Sequence, residues 1–224
     1  MNQINRSNFK SKKNASFCLT GGETASKFYS NPDVRKFLKS CFYNFYFTDE
    51  RAVNPSSLNS NFHSVSSSLF TDGVTKDLKL NRIRGEAKDL VKEATRYASI
   101  LPKRIDLLLL SVGEDGHIAS IFPRHVSTME KNKKVVPVYN APKKPDARLT
   151  ITPVVILSAI ETIVMAAGTK KGKILAKALI DPKNIFELPV RLTIGTTWVL
   201  DQAASKAFFK EKPTNFHNTR VVYV

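Results

Sequence analysis

Cysteine is scarce in this chain: Cys18 and Cys41 are the only two in 224 residues. Both sit in apolar surroundings without metal-ligand spacing, so they read as reduced core thiols of a cytoplasmic protein and not as a disulfide. No stretch approaches the roughly 20 apolar residues of a membrane helix, and no signal-peptide pattern opens the sequence. A membrane partner is therefore not expected. Histidine is limited to His63, His117, His125 and His217, and none form a metal-binding pair, so neither a metal nor a cofactor is expected. There is no Gly-x-Ser-x-Gly elbow to support an acyl-serine mechanism, no Walker A sequence, no internal repeat and no long low-complexity linker. Acidic residues are also few, 19 against 35 Lys and Arg, for a net charge of +16. That excess could attract an anionic small substrate, bind nucleic acid, or solvate the surface. No RNA-binding aromatic motif, zinc finger or basic heptad accompanies it. A solvated surface that helps steer an anionic substrate is preferred over a specific nucleic-acid site.

What is present reads as one α/β core. Residues 1–14 contain no Asp or Glu and carry Arg6, Lys10, Lys12 and Lys13, the composition of a disordered basic tail; residues 15–224 are expected to form a single domain. Strand-like and helix-like segments alternate, which predicts a three-layer, mostly parallel sheet flanked by helices, a Rossmann-like open sheet. Short strands are expected at 16–20, 42–47, 105–110, 162–167 and 220–223, with a further strand within 131–144. Helices are expected after Gly21-Gly22, over 33–39 behind Pro32, over 86–101 (Ala87, Leu90, Val91, Ala94, Ala98 and Leu101 sharing one face), over 171–180 and over 197–209. The Ser/Asn-rich segment 54–70 reads as a loop, and residues 141–145 as turn chemistry.

Four constellations could carry chemistry. Ser111-Val112-Gly113-Glu114-Asp115-Gly116-His117 follows an apolar strand, and ligands bind at strand carboxyl ends in open α/β sheets. Asp115 stands two residues before His117, a side chain suited to moving protons near neutral pH; a structural turn with a hydrogen-bonded His is the alternative. Thr20-Gly21-Gly22-Glu23-Thr24 links a strand to a helix. It is either a phosphate cradle of backbone N–H groups and helix dipole or a tight turn, and Glu23 would repel an anion there. Thr48-Asp49-Glu50-Arg51 follows the aromatic strand; Arg51 has the planar fork suited to phosphate or carboxylate, and a surface salt-bridge cluster is the alternative. Arg148-Leu149-Thr150-Ile151-Thr152-Pro153, preceded by Lys143 and Lys144, is either a further cation source or a solvated basic loop.

Taken in order, these motifs resemble the 6-phosphogluconolactonases of the glucosamine-6-phosphate isomerase/6-phosphogluconolactonase family, with its NagB/RpiA-like fold. The resemblance rests on Gly21-Gly22, Asp49-Glu50-Arg51 with Ser60-Asn61 downstream, and the Gly113 to Pro123 block. It extends through Ala141-Pro142-Lys143-Lys144-Pro145, Arg148 to Thr152, Gly168-Thr169-Lys170-Lys171 and Trp198-Val199-Leu200-Asp201-Gln202-Ala203-Ala204. Ser120-Ile121-Phe122-Pro123 has the lactonase form, where related deaminases typically continue Phe-Asn-Glu-Pro. Three departures stand out: Glu23 in place of a small hydroxyl residue, a basic segment where the family begins with a helix, and a short stretch between Asp181 and Thr197.

The resemblance implies hydrolysis of 6-phospho-D-glucono-1,5-lactone in the oxidative pentose phosphate pathway, without metal or cofactor. It implies His117 as base, Asp115 as its orienter or a substrate ligand, and backbone N–H groups around Gly113 and Gly116 for the oxyanion. Gly21, Gly22, Thr24 and Arg51 are the first expected phosphate ligands, with Arg148 and Lys171 next and Arg84 weaker. A sugar-phosphate deaminase or isomerase, or a non-catalytic sugar-phosphate or RNA binder, is the alternative. The resemblance also leaves open fusion to, or cooperation with, glucose-6-phosphate dehydrogenase.

Overall fold

The computed structural model describes residues 15–39, 43–71, 73 and 78–224; the basic segment 1–14, Cys41 and Phe42 lie outside the described residues. Among the described residues, ten strands fall into two sheets. The larger sheet holds β1 (Ala15–Leu19), β2 (Tyr43–Phe47), β4 (Lys79–Leu80), β5 (Leu107–Ser111), β8 (Glu161–Ala166), β9 (Thr197–Leu200) and β10 (Arg220–Tyr223). Every pairing in it is parallel, in the order β10-β9-β8-β5-β1-β2-β4. The central strands are apolar along their length because a parallel strand is covered on both faces: all five residues of β1 are buried, as are the four leucines of β5. The smaller sheet, antiparallel, joins β3 (Asp49–Arg51), β7 (Arg148–Ile151) and β6 (Val135–Val138).

The strand order positions the site. From β1 the chain steps to β2 and β4 on one side, then returns to β5 on the other side of β1 and proceeds outward to β8, β9 and β10. The direction reverses between β1 and β5, and in an open α/β sheet the crevice outside the carboxyl ends at such a reversal is the ligand-binding position. The segments leaving those two strands are Thr20-Gly21-Gly22 and Val112 through His117.

The helices are α1 (Glu23–Ser30), α2 (Pro32–Lys39), α3 (Asn61–Leu69), α4 (Leu90–Ile100), α5 (Pro153–Ser158), α6 (Thr169–Ile180) and α7 (Gln202–Lys210). Three of them correct the sequence reading. Segment 54–70 contains α3, because Ser60 caps it, accepting from His63 N at 3.1 Å, and the buried Glu50 carboxylate takes the N–H groups of Asn61 (2.6 Å) and Phe62 (2.8 Å). A charge on the helix N-terminus and a side-chain cap together outweigh poor helix propensity. Segment 197–209 divides: Trp198 and Leu200 are buried in β9, and α7 begins only after Asp201 caps it through Ala204 N at 2.7 Å. Segment 86–101 is helical from Leu90, and its inner face holds Glu93, Ala94 and Tyr97 while Val91 points outward. Glu93 is tolerated inside because Arg96 pairs with it at 2.6 Å and Arg84 N–H donates to it at 2.7 Å. Among the described residues, no helix is long and apolar enough to cross a membrane.

Candidate active site

The loop leaving β5 folds back on itself. Gly113 N–H donates to the His117 carbonyl at 2.9 Å and Gly116 N–H to the Gly113 carbonyl at 3.0 Å, while Val112 and Ile118 form an isolated antiparallel bridge. This turn brings His117 Nδ1 into a hydrogen bond with Asp115 Oδ1. The pair lies directly over Gly113: a Cβ there would be 2.1 Å from His117 Cε1 and Nδ1 and 2.6 Å from Asp115 Oδ1. Gly113 is thus required by contact. The other side of the imidazole meets Phe122, ring centroids 4.8 Å apart. Burial alone would raise the Asp115 carboxyl. The His117 hydrogen bond and the charges of His117 and Lys143 outweigh it and hold the group well below the usual carboxylate range. An ionised Asp115 accepting from Nδ1–H leaves Nε2 as the imidazole nitrogen with a lone pair.

At the end of β1, the Tyr29 hydroxyl fixes Thr20, donating to its carbonyl at 3.0 Å and accepting from its N–H at 3.2 Å. Gly21 follows, pressed against Asn61 so closely that a Cβ would sit 2.1 Å from Asn61 Oδ1. Gly22 begins α1, whose N-terminus has no side-chain cap. Thr24 Oγ1 in the first turn accepts from Lys171 Nζ at 2.7 Å. Lys171 comes from the first turn of α6, so two helix starts meet through this bond, and burial pushes its ammonium below the usual value. Glu23 is mostly exposed and paired with Lys27 at 2.7 Å, which turns its charge along the outside of α1.

Asp49-Glu50-Arg51 is not a surface ion-pair cluster. Asp49 and Glu50 are buried, and each anchors a different element. Asp49 accepts from Ser120 Oγ at 2.7 Å and from Thr48 Oγ1 at 2.9 Å, tying β3 to the loop that carries His117. Glu50 accepts from Arg51 N, Asn61 N, Phe62 N and Ser60 Oγ, and its carboxyl is pushed up by burial against those bonds. Arg51 pairs in register with Arg148 across β3 and β7, and its Nη1 donates to the Asn59 carbonyl at 2.6 Å.

Several expected ligands occupy other roles. Arg148 is a buried strand residue and not part of a solvated loop. Its Nε donates to the Pro145 carbonyl at 2.8 Å and its Nη2 to the Lys143 carbonyl at 2.7 Å, with the guanidinium 5.2 Å from the Phe122 ring centre. Nε and Nη2 are therefore committed to the 141–146 turn, while Nη1 lies 3.5 Å from Ser120 Oγ. The Gly113 and Gly116 N–H groups are equally committed within their own loop, so the two amides expected to hold an oxyanion donate elsewhere. Arg84 is exposed beside Glu86, Asp89, Lys92 and Arg96, apart from the Asp115 cluster. Conversely, the turn held by Arg148 carries Lys143, whose Nζ lies 3.7 Å from Asp115 Oδ1. Its Ala-Pro-Lys-Lys-Pro context was the available signal, but nothing in the sequence said which lysine faces inward. Phe122, part of the Ser120 to Pro123 block, touches both His117 and Arg148. Among the described residues no group of three or more His, Cys, Asp or Glu side chains converges as a metal-ligand set.

The fold and site define an open-sheet α/β protein with an acid–imidazole pair at the sheet's reversal point and cations around it. The chain belongs to the family described as glucosamine-6-phosphate isomerases/6-phosphogluconolactonase, which matches residues 1–200. A 6-phosphogluconolactonase of Borreliella burgdorferi is 30% identical over 196 residues, 83% of this chain and 81% of that protein. A 6-phosphogluconolactonase of Bos taurus is 39% identical over 105 residues, 45% of this chain and only 40% of the relative's length. Among solved structures, a 6-phosphogluconolactonase from Shewanella baltica superposes with a TM-score of 0.74 at 19% identity, covering 97% of this chain and 87% of that one. A monomeric glucosamine-6-phosphate deaminase also gives 0.74, at 20% identity and 92% coverage of each chain. The fold alone is thus shared by both activities.

Proposed function

We propose that the chain hydrolyses 6-phospho-D-glucono-1,5-lactone to 6-phosphogluconate. The observation that carries this reading is the hydrogen bond between His117 and Asp115 at the carboxyl end of β5, next to the uncapped start of α1. The relatives named as lactonases and the Ser120-Ile121-Phe122-Pro123 continuation favour it over a deaminase. His117 Nε2 takes a proton from water as the water oxygen adds to C1 and the carbonyl electron pair moves onto its oxygen. When the carbonyl re-forms, the C1–ring oxygen bond breaks and the imidazolium returns the proton to the departing ring oxygen. Asp115 fixes the tautomer and stabilises the imidazolium. Lys171, Thr24 and Arg51, with the backbone at Gly21 and Gly22, receive the 6-phosphate. The net charge of +16 helps draw in a dianion, less so at high salt. The reaction calls on no cofactor.

The test is a lactonase assay on freshly generated substrate, with spontaneous hydrolysis subtracted, on the wild-type protein and His117→Ala in parallel. The variant should lose about 10²-fold or more of kcat/KM. An unchanged variant would remove His117 from the mechanism. A wild-type protein that releases ammonia from glucosamine 6-phosphate and leaves the lactone untouched would favour the deaminase reading.

A further inference from the structure

We infer that Lys143 binds the C1 end of the substrate, supplying the positive charge that stabilises the oxyanion and, after ring opening, the product carboxylate. The inference rests on the lactonase reading above and adds a residue to it. The Gly113 and Gly116 amides donate to the His117 and Gly113 carbonyls, and a cation beside the loop adds to whatever backbone donors meet the charge developing at C1. Lys143 Nζ is 3.7 Å from Asp115 Oδ1, the oxygen that also bonds His117 Nδ1. At that distance it makes a charge contact and not a hydrogen bond. The ammonium stays beside the reacting end with its donors uncommitted to Asp115. Its side chain is about half exposed, 49%, enough to meet an incoming ligand.

Its position is built. Arg148 clamps the turn through the backbone of Lys143 itself (Nη2 to the carbonyl, 2.7 Å) and through the Pro145 carbonyl (2.8 Å), and is itself 4% exposed. Arg148 is therefore a positioning residue for Lys143. As water adds to C1, negative charge accumulates on the former carbonyl oxygen. When the ring oxygen leaves with its proton, C1 becomes a carboxylic acid, which releases its hydroxyl proton to water and leaves a carboxylate at the same carbon. A cation at that end matches both species, whereas the neutral lactone carbonyl gains less from it, so the effect falls on kcat more than on KM.

The experiment combines turnover with binding. Lys143→Met should lower kcat about tenfold with a smaller change in KM, and Lys143→Arg should recover part of it. In calorimetry, wild-type protein should bind 6-phosphogluconate about tenfold more tightly than D-glucitol 6-phosphate, which lacks the carboxylate; Lys143→Met should abolish that preference and leave glucitol 6-phosphate binding unchanged. If Lys143→Met weakens both ligands equally, Lys143 serves the phosphate and the inference is overturned. It is also overturned if kcat and the preference both survive. A wild-type protein without lactonase activity that still shows the Lys143-dependent carboxylate preference would instead overturn the lactonase reading alone.

Discussion

Gly113→Ala separates the geometry of the imidazole from everything else in the fold. The added methyl would meet His117 Cε1 and Nδ1 at 2.1 Å, where ordinary contact begins near 3.4 Å, so the ring or the loop has to shift by about 1 Å. Retreat is limited, because Phe122 backs the ring at a centroid distance of 4.8 Å and is itself 1% exposed. The methyl also stands 2.6 Å from Asp115 Oδ1, so the hydrogen bond that sets the His117 tautomer is displaced together with the ring. A 1 Å misplacement of a reacting group costs about 10²-fold in rate, equivalent to ~2.7 kcal/mol of activation free energy. The backbone has no comparable objection: Gly113 is absent from the glycines with positive φ, so alanine can adopt its conformation, and the melting temperature should move by only a few degrees. Steady-state lactonase kinetics on Gly113→Ala should show the loss in kcat with a folded protein. In a His117→Ala background the same change should cost almost nothing more, since both act through one group. Full activity in Gly113→Ala, or an additive loss in the double variant, would show that Gly113 does not act through the His117 ring.

If its ammonium, bonded to Thr24, takes the phosphate as proposed, Lys171→Met should raise KM about tenfold while changing kcat little; a kcat-only loss in steady-state kinetics would contradict that assignment. The folded-state pKa of Asp115 is depressed, so the stability it contributes is fully present above its ordinary value near 3.8 and is lost as the pH falls below it. Thermal melts should therefore fall more steeply for wild type than for Asp115→Asn below about pH 4, and parallel slopes would exclude the linkage.

The parts of the fold that carry the site were the most legible. β1 and β5 are largely apolar runs, broken only by Ser16 in β1 and ending at Ser111 in β5, because they are central parallel strands, and the Gly-Gly and Asp-Gly-His segments follow them closely. Helix α3 was illegible because its start is held by Glu50, eleven residues before Asn61 and in another element. The small sheet was hidden for the same reason: Asp49 pairs with Thr150 at a separation no local pattern can register. Segment 197–209 misled because Trp198, Val199 and Leu200 run straight into helix-forming residues; Asp201, a good N-cap, was the signal that divides them. At the site, residue types were readable but their commitments were not. Arg148 and the Gly113 and Gly116 amides suit an anion chemically, yet each is occupied by a carbonyl that only the folded chain brings to it.

Commitment, more than net charge, distinguishes the cations. Arg148 is spent on two carbonyls, Arg51 has given one donor to Asn59, Lys171 one to Thr24, and Lys143 makes only a 3.7 Å charge contact. A committed guanidinium cannot turn toward a ligand without giving up its bonds to those carbonyls, at about 0.5–1.5 kcal/mol each. Under the proposed function, substrate recognition falls to the groups with donors to spare. Those lie in two places: Lys171 and Arg51, each with one donor given, at the proposed phosphate end, and Lys143 beside Asp115. A ligand with a permanent dianion at one end and a charge that develops only during reaction at the other would use both, and would use them differently. Lys171 would act on ground-state binding and Lys143 on the transition state, so the two lysine variants should divide between KM and kcat. A ligand held by both lysines at its phosphate would give the same KM effect from both, and that symmetric result would move Lys143 from the C1 end to the phosphate end while leaving the His117–Asp115 chemistry in place.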